Sequence, residues 1–222
     1  MRRPSRWLRG LVVLASTAVF APLAVVACGD DDKSAPNTPG GDGGVPADAL
    51  VDSTTRYVVP DAACEIVIDQ YPLLASPHVE KSVEIAYNSN PPSSGPHDQK
   101  WAAFQEFTDP VPRRNYVHDL EHGAVAFLYR CDLPGAGDCN AITELFRSTV
   151  SSQPNDPICA NETKRVRTVI TPDPLLDFPI AASAWGWTYR ARCIDPASLA
   201  DFVRDHYGKG PEVLCAPGVD HF

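Results

Sequence analysis

The chain of 222 residues has 28 acidic and 19 basic side chains, which give it a net charge of −9. This balance argues against nucleic acids and anionic membrane surfaces as partners, because both carry negative charge. The length of residues 57–222, which follow two N-terminal segments described below, suits one domain with a single hydrophobic core.

The N-terminus predicts an exported lipoprotein. Four arginines precede an apolar stretch over residues 11–27, which ends in the letters VVAC with Cys28 last. This order resembles the bacterial lipobox, in which the cysteine is acylated and becomes the new N-terminus. A transmembrane helix needs about 20 apolar residues, and this stretch is shorter and contains Pro22. We therefore expect a signal peptide over residues 1–27 and a lipid anchor on Cys28 in the cell envelope, on the periplasmic face or the outer surface. An uncleaved anchor and plain secretion are the alternatives.

Residues 28–56 predict a flexible tether. They are acidic, rich in Gly, Pro and Asp, and lack the aliphatic clusters that offset the entropy of ordering. The chain from Cys28 onward has 15 basic and 28 acidic residues, since the four arginines leave with the signal, and its net charge is −13. The folded part is expected as a single domain over residues 57–222.

The first half of this domain predicts a strand, a loop and a second strand. Alternation over residues 83–87 predicts a short strand. The letters NSNPPSSGPH at residues 88–97 predict a stiff loop, because three prolines fix φ and remove backbone donors. Residues 100–108 predict a short helix or an aromatic-rich turn, and the apolar run at 124–129 predicts a buried strand.

The second half predicts two helices and two strands. Apolar residues recur at helical spacing over residues 140–150, and strands are expected at 166–170 and 180–189. Asp195 is the expected N-cap of the last helix, with Pro196 at its first position and Gly208 at its end. The order of elements predicts an α+β fold, a single two-layer domain with a mixed or antiparallel sheet and two main helices.

Six cysteines remain once Cys28 is set aside, and an even number in an exported chain predicts disulfides. Zinc ribbons are the alternative, but they need Cys-x-x-Cys pairs, which this sequence does not contain. One pair flanks the turn-rich residues 132–138 and is expected to close locally. An assumed hairpin between residues 166–170 and 182–186, extended past its strand ends, places a second pair opposite each other. The predicted disulfides are Cys131–Cys139, Cys159–Cys193 and, for the remaining two, Cys64–Cys215.

The letters HDLEHG at residues 118–123 carry the clearest indication of chemistry. In a helical turn, His118 and His122 lie at i and i+4 on one face, and Gly123 ends the turn in a left-handed conformation. Two imidazoles on one face commonly chelate a transition metal, and His97 at the end of the stiff loop can supply a third. Three imidazoles suit Zn²⁺ or Cu²⁺, whereas soft ligands for Cu⁺ are missing. The alternative is that these histidines donate hydrogen bonds and brace the loop.

The same letters contain His-x-x-Glu-His, the inverted zinc-peptidase motif, in which Glu121 would be the general base. That motif needs a long helix and a further acidic ligand, whereas Gly123 and an apolar run follow here. Serine-hydrolase, phosphate-loop and dinucleotide motifs do not occur in the sequence.

Four motifs in the same order resemble those of the bacterial family called domain of unknown function 3105. They are NSNPPSSGPH at residues 88–97, HDLEHG at 118–123, AWG at 184–186 and GPE at 210–212. The resemblance spans residues 83–212, although the family has Asn in place of Asp119 and an aromatic residue in place of Asp98. It implies an exported or membrane-attached domain and supplies no activity. It marks as motif positions His97, His118, Glu121 and His122.

The sequence therefore predicts an envelope lipoprotein that binds a divalent metal, Zn or Cu, through His97, His118 and His122. The first alternative is a non-enzymatic interaction module stapled by disulfides, in which the histidines are structural. The second is a zinc-dependent hydrolase. The only partner indicated is the membrane, through the lipid on Cys28; a protein partner is not indicated.

Overall fold

The computed structural model describes residues 55–58 and 64–222 and shows an α+β fold. The predicted signal peptide, the Cys28 anchor and most of the predicted tether lie outside these residues. The strands are β1 (Thr55–Val58), β2 (Ile66–Gln70), β3 (Val125–Tyr129), β4 (Thr168–Pro172), β5 (Ile180–Ala184) and β6 (Trp187–Ala191). The helices are α1 (Arg113–Glu121), α2 (Cys139–Ser152), α3 (Pro196–His206) and the 3-10 turn Pro157–Cys159.

The strands form one mixed sheet in the order β1-β2-β6-β5-β3-β4, in which only β3 and β4 are parallel. The predicted strand at residues 180–189 is a hairpin of β5 and β6. Gly186 turns this hairpin with a φ of +76°, a conformation that residues with a Cβ rarely adopt. Asp195 caps α3 as predicted, since its side chain accepts a hydrogen bond from the Ser198 amide.

Both faces of the sheet are covered. On one face, which we call the apolar face, α2 and α3 pack on the sheet through side chains such as Phe146 and Phe202. On the other, which we call the polar face, α1 packs through Tyr116 and Leu120. The sequence predicted two layers and two main helices. The structure adds α1 as a third layer, on the opposite face of the sheet from α2 and α3. The continuous apolar run of β3 fits this arrangement, because the strand is buried on both sides.

Two predicted elements are replaced by irregular chain. Residues 83–87 form no strand, and residues 100–108 form no helix, which leaves the aromatic-rich turn of the two predictions for that segment. Around the first segment, the Arg114 guanidinium donates hydrogen bonds to backbone carbonyls, including those of Lys81 and Val83. A side chain therefore satisfies carbonyls that a neighbouring strand would satisfy in a sheet.

The structure pairs Cys131 with Cys139, as predicted, but the other two predicted disulfides are wrong. The assumed hairpin does not exist, because β3 lies between β4 and β5. Pairing of β2 with β6 aligns Ile66 with Ala191. Cys64 lies two residues before Ile66 and Cys193 lies two residues after Ala191, so the same register places these two cysteines opposite each other. The other two disulfides are therefore Cys64–Cys193 and Cys159–Cys215.

Three disulfides indicate an oxidising compartment outside the cytoplasm. Over the described ranges, the helices are too short or too polar to cross a bilayer.

Candidate metal centre

Helix α1 ends at the candidate site. The His122 amide donates to the His118 carbonyl, and Gly123 follows with a φ of +79°. The Arg167 guanidinium donates to the His122 carbonyl and so satisfies the negative end of the helix. The predicted helical turn and its left-handed glycine are confirmed, and the helix extends N-terminally to Arg113.

The proline-rich loop at residues 88–97 is held by side-chain hydrogen bonds to backbone carbonyls. Asn88 donates to the Pro72 carbonyl at 2.7 Å, and Ser183 donates to the Pro92 carbonyl at 2.7 Å. His97, at the end of the loop, is fully buried. Its backbone pairs with the segment around His78: the Val79 amide donates to the His97 carbonyl at 2.8 Å.

Four side chains converge where the loop meets α1. One ligand atom from each of His78, His97, His118 and Glu121 lies within 4.8 Å of the others. His78 is exposed and the other three are buried. His97 Nε2 lies 3.0 Å from Glu121 Oε2, yet this buried nitrogen makes no hydrogen bond among the described residues. Two atoms that bind the same metal ion lie close together in this way without forming a hydrogen bond to each other.

Backbone carbonyls fix the tautomer of two of the imidazoles. His97 Nδ1 lies 2.9 Å from the Gly95 carbonyl oxygen, and His118 Nδ1 lies 2.8 Å from that of Asp98. A carbonyl oxygen only accepts, so Nδ1 carries a proton in each ring, and Nε2 is the atom that holds the lone pair of the neutral imidazole. Metal-binding histidines are commonly oriented in this way.

The electrostatic environment keeps His118 neutral. Burial, with smaller contributions from the His122 and His97 rings, lowers the pKa of His118 to about 3. The neutral imidazole is the form that binds metal ions. The ring therefore does not need to lose a proton to bind an ion at neutral pH.

His122 does not join the group, and the predicted three-histidine set is corrected. Its ring lies 4.5 Å from that of His118 between centroids, but its Nε2 faces the Glu212 carboxylate at 3.9 Å. Glu121, three residues after His118 at the end of α1, is the residue that joins His118 in the group. The structure thus brings together His97 and His118 of the predicted set and adds His78 and Glu121.

This arrangement also differs from the zinc-peptidase pattern. That motif needs both of its histidines on the metal and its glutamate as the base. Here Glu121 lies in the group with His118 while His122 lies outside it, and α1 has only nine residues.

His78 was missed by sequence reasoning. It is a single histidine after a proline, and its place in the site depends on pairing between residues 77–79 and His97, which no local pattern indicates. Trp101 was also missed, and its ring packs against those of His118 and His122, with centroids 5.1 and 4.9 Å away.

Asp119 lies on α1 beside these ligands but outside the group. It is fully buried, and one oxygen accepts from the Ala102 amide at 3.2 Å. Burial raises its pKa well above the usual range of a carboxyl group. Burial therefore favours the uncharged acid over the carboxylate, and the amide of the asparagine typical of the resembled family is likewise uncharged.

The fold and site define a disulfide-stapled α+β domain with a candidate centre of three histidines and one glutamate. Residues 78–217 match the family described as protein of unknown function, DUF3105. Because the match covers more than half of the chain, the protein belongs to this family, as the motifs predicted. The match begins at His78 and includes the other three residues of the group. Comparison with curated proteins gave no match, and comparison with solved structures gave none.

Proposed function

We propose that this domain binds a divalent transition metal through His78, His97, His118 and Glu121. The observation that supports it best is the fixed tautomer of two buried imidazoles, His97 and His118, in a group that includes the buried Glu121 carboxylate, 3.0 Å from His97 Nε2. Three nitrogens and one oxygen match the ligand types and number of a tetrahedral zinc site. The proposed role is metal binding, because four protein ligands are typical of closed rather than catalytic sites.

The donor types favour Zn²⁺, with Cu²⁺ as the second choice. Imidazole and carboxylate groups suit both ions, whereas Cu⁺ prefers thiolate and thioether ligands. In the described part of the chain, all six cysteines are in disulfides, so no thiolate there is available to bind Cu⁺.

Equilibrium dialysis of the purified full-length protein against zinc or copper, followed by elemental analysis, tests the proposal. We expect uptake of zinc at micromolar concentration and its loss in His97→Ala. His221→Ala is the matched control, because the His221 side chain is 93% exposed and lies outside the group. Absence of both metals from the wild-type protein would favour the alternative of an interaction module with structural histidines.

The lipid anchor is a separate proposal. The lipobox-like sequence before Cys28 supports attachment of the domain to an envelope membrane through acyl chains, each contributing about 0.8 kcal/mol per buried CH₂. Labelling of cells with a radioactive fatty acid tests it. Cys28→Ala should lose the label and leave the membrane fraction, whereas unchanged labelling would contradict the anchor.

A further inference from the structure

The GPE motif at residues 210–212 is not used by the proposed centre, yet the fold holds it against that centre. It belongs to residues 208–219, which we call the C-terminal strap. The Glu212 amide donates to the Glu121 carbonyl at 3.0 Å. A Cβ on Gly210 would overlap the Glu121 carbonyl oxygen and the Gly123 amide nitrogen. Glycine is therefore required for the strap to approach the end of α1 so closely.

Further hydrogen bonds and a disulfide hold the C-terminal strap in place. The Leu214 amide lies 3.4 Å from the His122 carbonyl oxygen and donates to it, and Cys215 is joined to Cys159. Trp101 donates from its indole nitrogen to the Ala216 carbonyl at 3.3 Å. These contacts fix the backbone that carries Glu212 over the end of the metal-binding helix.

His122 and Glu212 face each other across a gap of ion size. His122 Nε2 and Glu212 Oε2 are 3.9 Å apart, which is too long for a hydrogen bond. Both atoms can reach one ion, because Zn–N and Zn–O bonds are about 2.0–2.2 Å long. The His122 side chain is 3% exposed, and its Nδ1 has no hydrogen-bond partner within the described ranges. Nε2 is therefore the nitrogen of this nearly buried ring that faces a second possible ligand atom, the Glu212 oxygen.

We propose that His122 and Glu212 hold a second divalent metal ion next to the first. This inference rests on the proposed function, because it places the second ion beside the centre formed by His78, His97, His118 and Glu121. Water completes its coordination, since the Glu212 side chain is 66% exposed. The carboxylates of Glu121 and Glu212 supply the negative charge that two neighbouring cations require.

The second ion binds more weakly than the first. It has two protein ligands where the first has four, and the two ions repel each other across a short distance. The ring centroids of His118 and His122, one ligand from each position, are only 4.5 Å apart. Zinc should therefore bind in two steps, with the buried centre filled first.

Zinc titration of the metal-free full-length protein by calorimetry, with elemental analysis after dialysis, tests this. We expect two equivalents in the wild type and one in Glu212→Gln, which keeps the tighter step and loses at least tenfold in the weaker one. Asp220→Asn is the matched control, because Asp220 also lies near a histidine, with its oxygen 3.4 Å from His221 Nε2. Both members of that pair are exposed, so the control should keep both steps.

The outcomes separate the two proposals. One equivalent in the wild type, unchanged in Glu212→Gln, overturns the second position and leaves the first. Two equivalents that Glu212→Gln retains also overturn it, as does loss of the weaker step in Asp220→Asn instead. Absence of zinc from the wild type overturns the proposed function itself. Glu212→Gln should fold normally, since its side chain is largely in solvent, and unfolding in urea checks this.

Discussion

The apolar and polar faces of the sheet are filled by different kinds of side chain. The apolar face buries hydrocarbon almost throughout, with Phe127, Phe146, Tyr189 and Phe202 at its centre. The polar face adds buried charged and polar residues of α1 to its hydrophobic cluster. Burying a polar group costs free energy unless it finds a partner. The apolar face therefore stabilises the fold, and the polar face carries groups that stability alone does not require.

Pairing within the polar face sharpens this contrast. Arg113 lies 2.9 Å from Asp173, and Arg167 lies 2.9 Å from Asp156, so these buried charges have partners. His97 Nε2 lies 3.0 Å from Glu121 Oε2 but makes no hydrogen bond among the described residues. The arginine pairs therefore contribute hydrogen bonds to the fold, whereas the histidine group could hold a metal ion.

The largest expected effect is on the apolar face. Phe146 is fully buried, with its ring centroid 5.2 Å from that of Phe127. Phe146→Ala should lower the free energy of unfolding by about 3–5 kcal/mol, through lost burial and the cavity left behind. Urea denaturation measures this loss. Zinc affinity of the folded fraction should stay unchanged, and a large drop in affinity would break the separation of the two faces.

Substitutions at the centre should reverse this pattern. His118→Ala removes a proposed ligand, so zinc affinity should fall by tenfold or more, since changes beside metal ligands already cost about 10–100-fold. In metal-free protein the loss of stability should be smaller than for Phe146→Ala. Calorimetric titration and urea denaturation of the same preparation check both statements. Unchanged zinc affinity would remove His118 from the site.

The pH dependence of stability should contain a contribution from His206 on the apolar face. Its ring stacks on Trp187 at 4.3 Å, and burial lowers its pKa to about 4. In the unfolded chain its pKa is about 6.5. Below about pH 6.5 the unfolded state binds a proton that the folded state does not bind. The free energy of unfolding therefore falls as the pH falls toward 4.

The size of this effect is about 1 kcal/mol per pH unit, after a reduction for partial exposure. Urea denaturation between pH 7 and 5 in the presence of a chelator measures it. His206→Phe should reduce the slope, and an identical slope in this variant would show that the ring titrates freely in the folded state.

Asp119→Asn should change stability with a sign that depends on pH. Burial raises the pKa of Asp119, so above about pH 4 the unfolded chain loses a proton that the folded chain retains. Stability therefore falls as pH rises. The asparagine variant is free of this loss, so its stability relative to wild type should rise with pH, by up to about 1.4 kcal/mol per pH unit for as long as the folded protein retains the proton. Urea denaturation of both proteins between pH 5 and 8 measures this, and a constant difference across the range would contradict a raised pKa of Asp119.

The sequence predicted those elements whose signals are local. The run at residues 124–129 became β3, and the spacing at 140–150 became α2. Strand pairing could not be predicted in the same way, because the β2–β6 register joins residues more than 100 positions apart. The missed pairing accounts for two of the three disulfides, since it places Cys64 beside Cys193.

The candidate site shows the same limit. His97 and His118 were predicted from a stiff loop and a helical turn, which are local features. Glu121 rather than His122 joins the group, and His122 Nε2 faces Glu212, which lies 90 positions further along the chain, so no local pattern predicts this difference. His78 enters through long-range backbone pairing with His97.

Anomalous diffraction at the zinc absorption edge, from crystals of the zinc-loaded protein, tests the central claim most directly. The strongest peak should lie about 2.0–2.2 Å from His97 Nε2, His118 Nε2 and a Glu121 oxygen, with His78 as the fourth ligand. A strongest peak bound by His118 and His122 without Glu121, or located away from this group, would contradict the account.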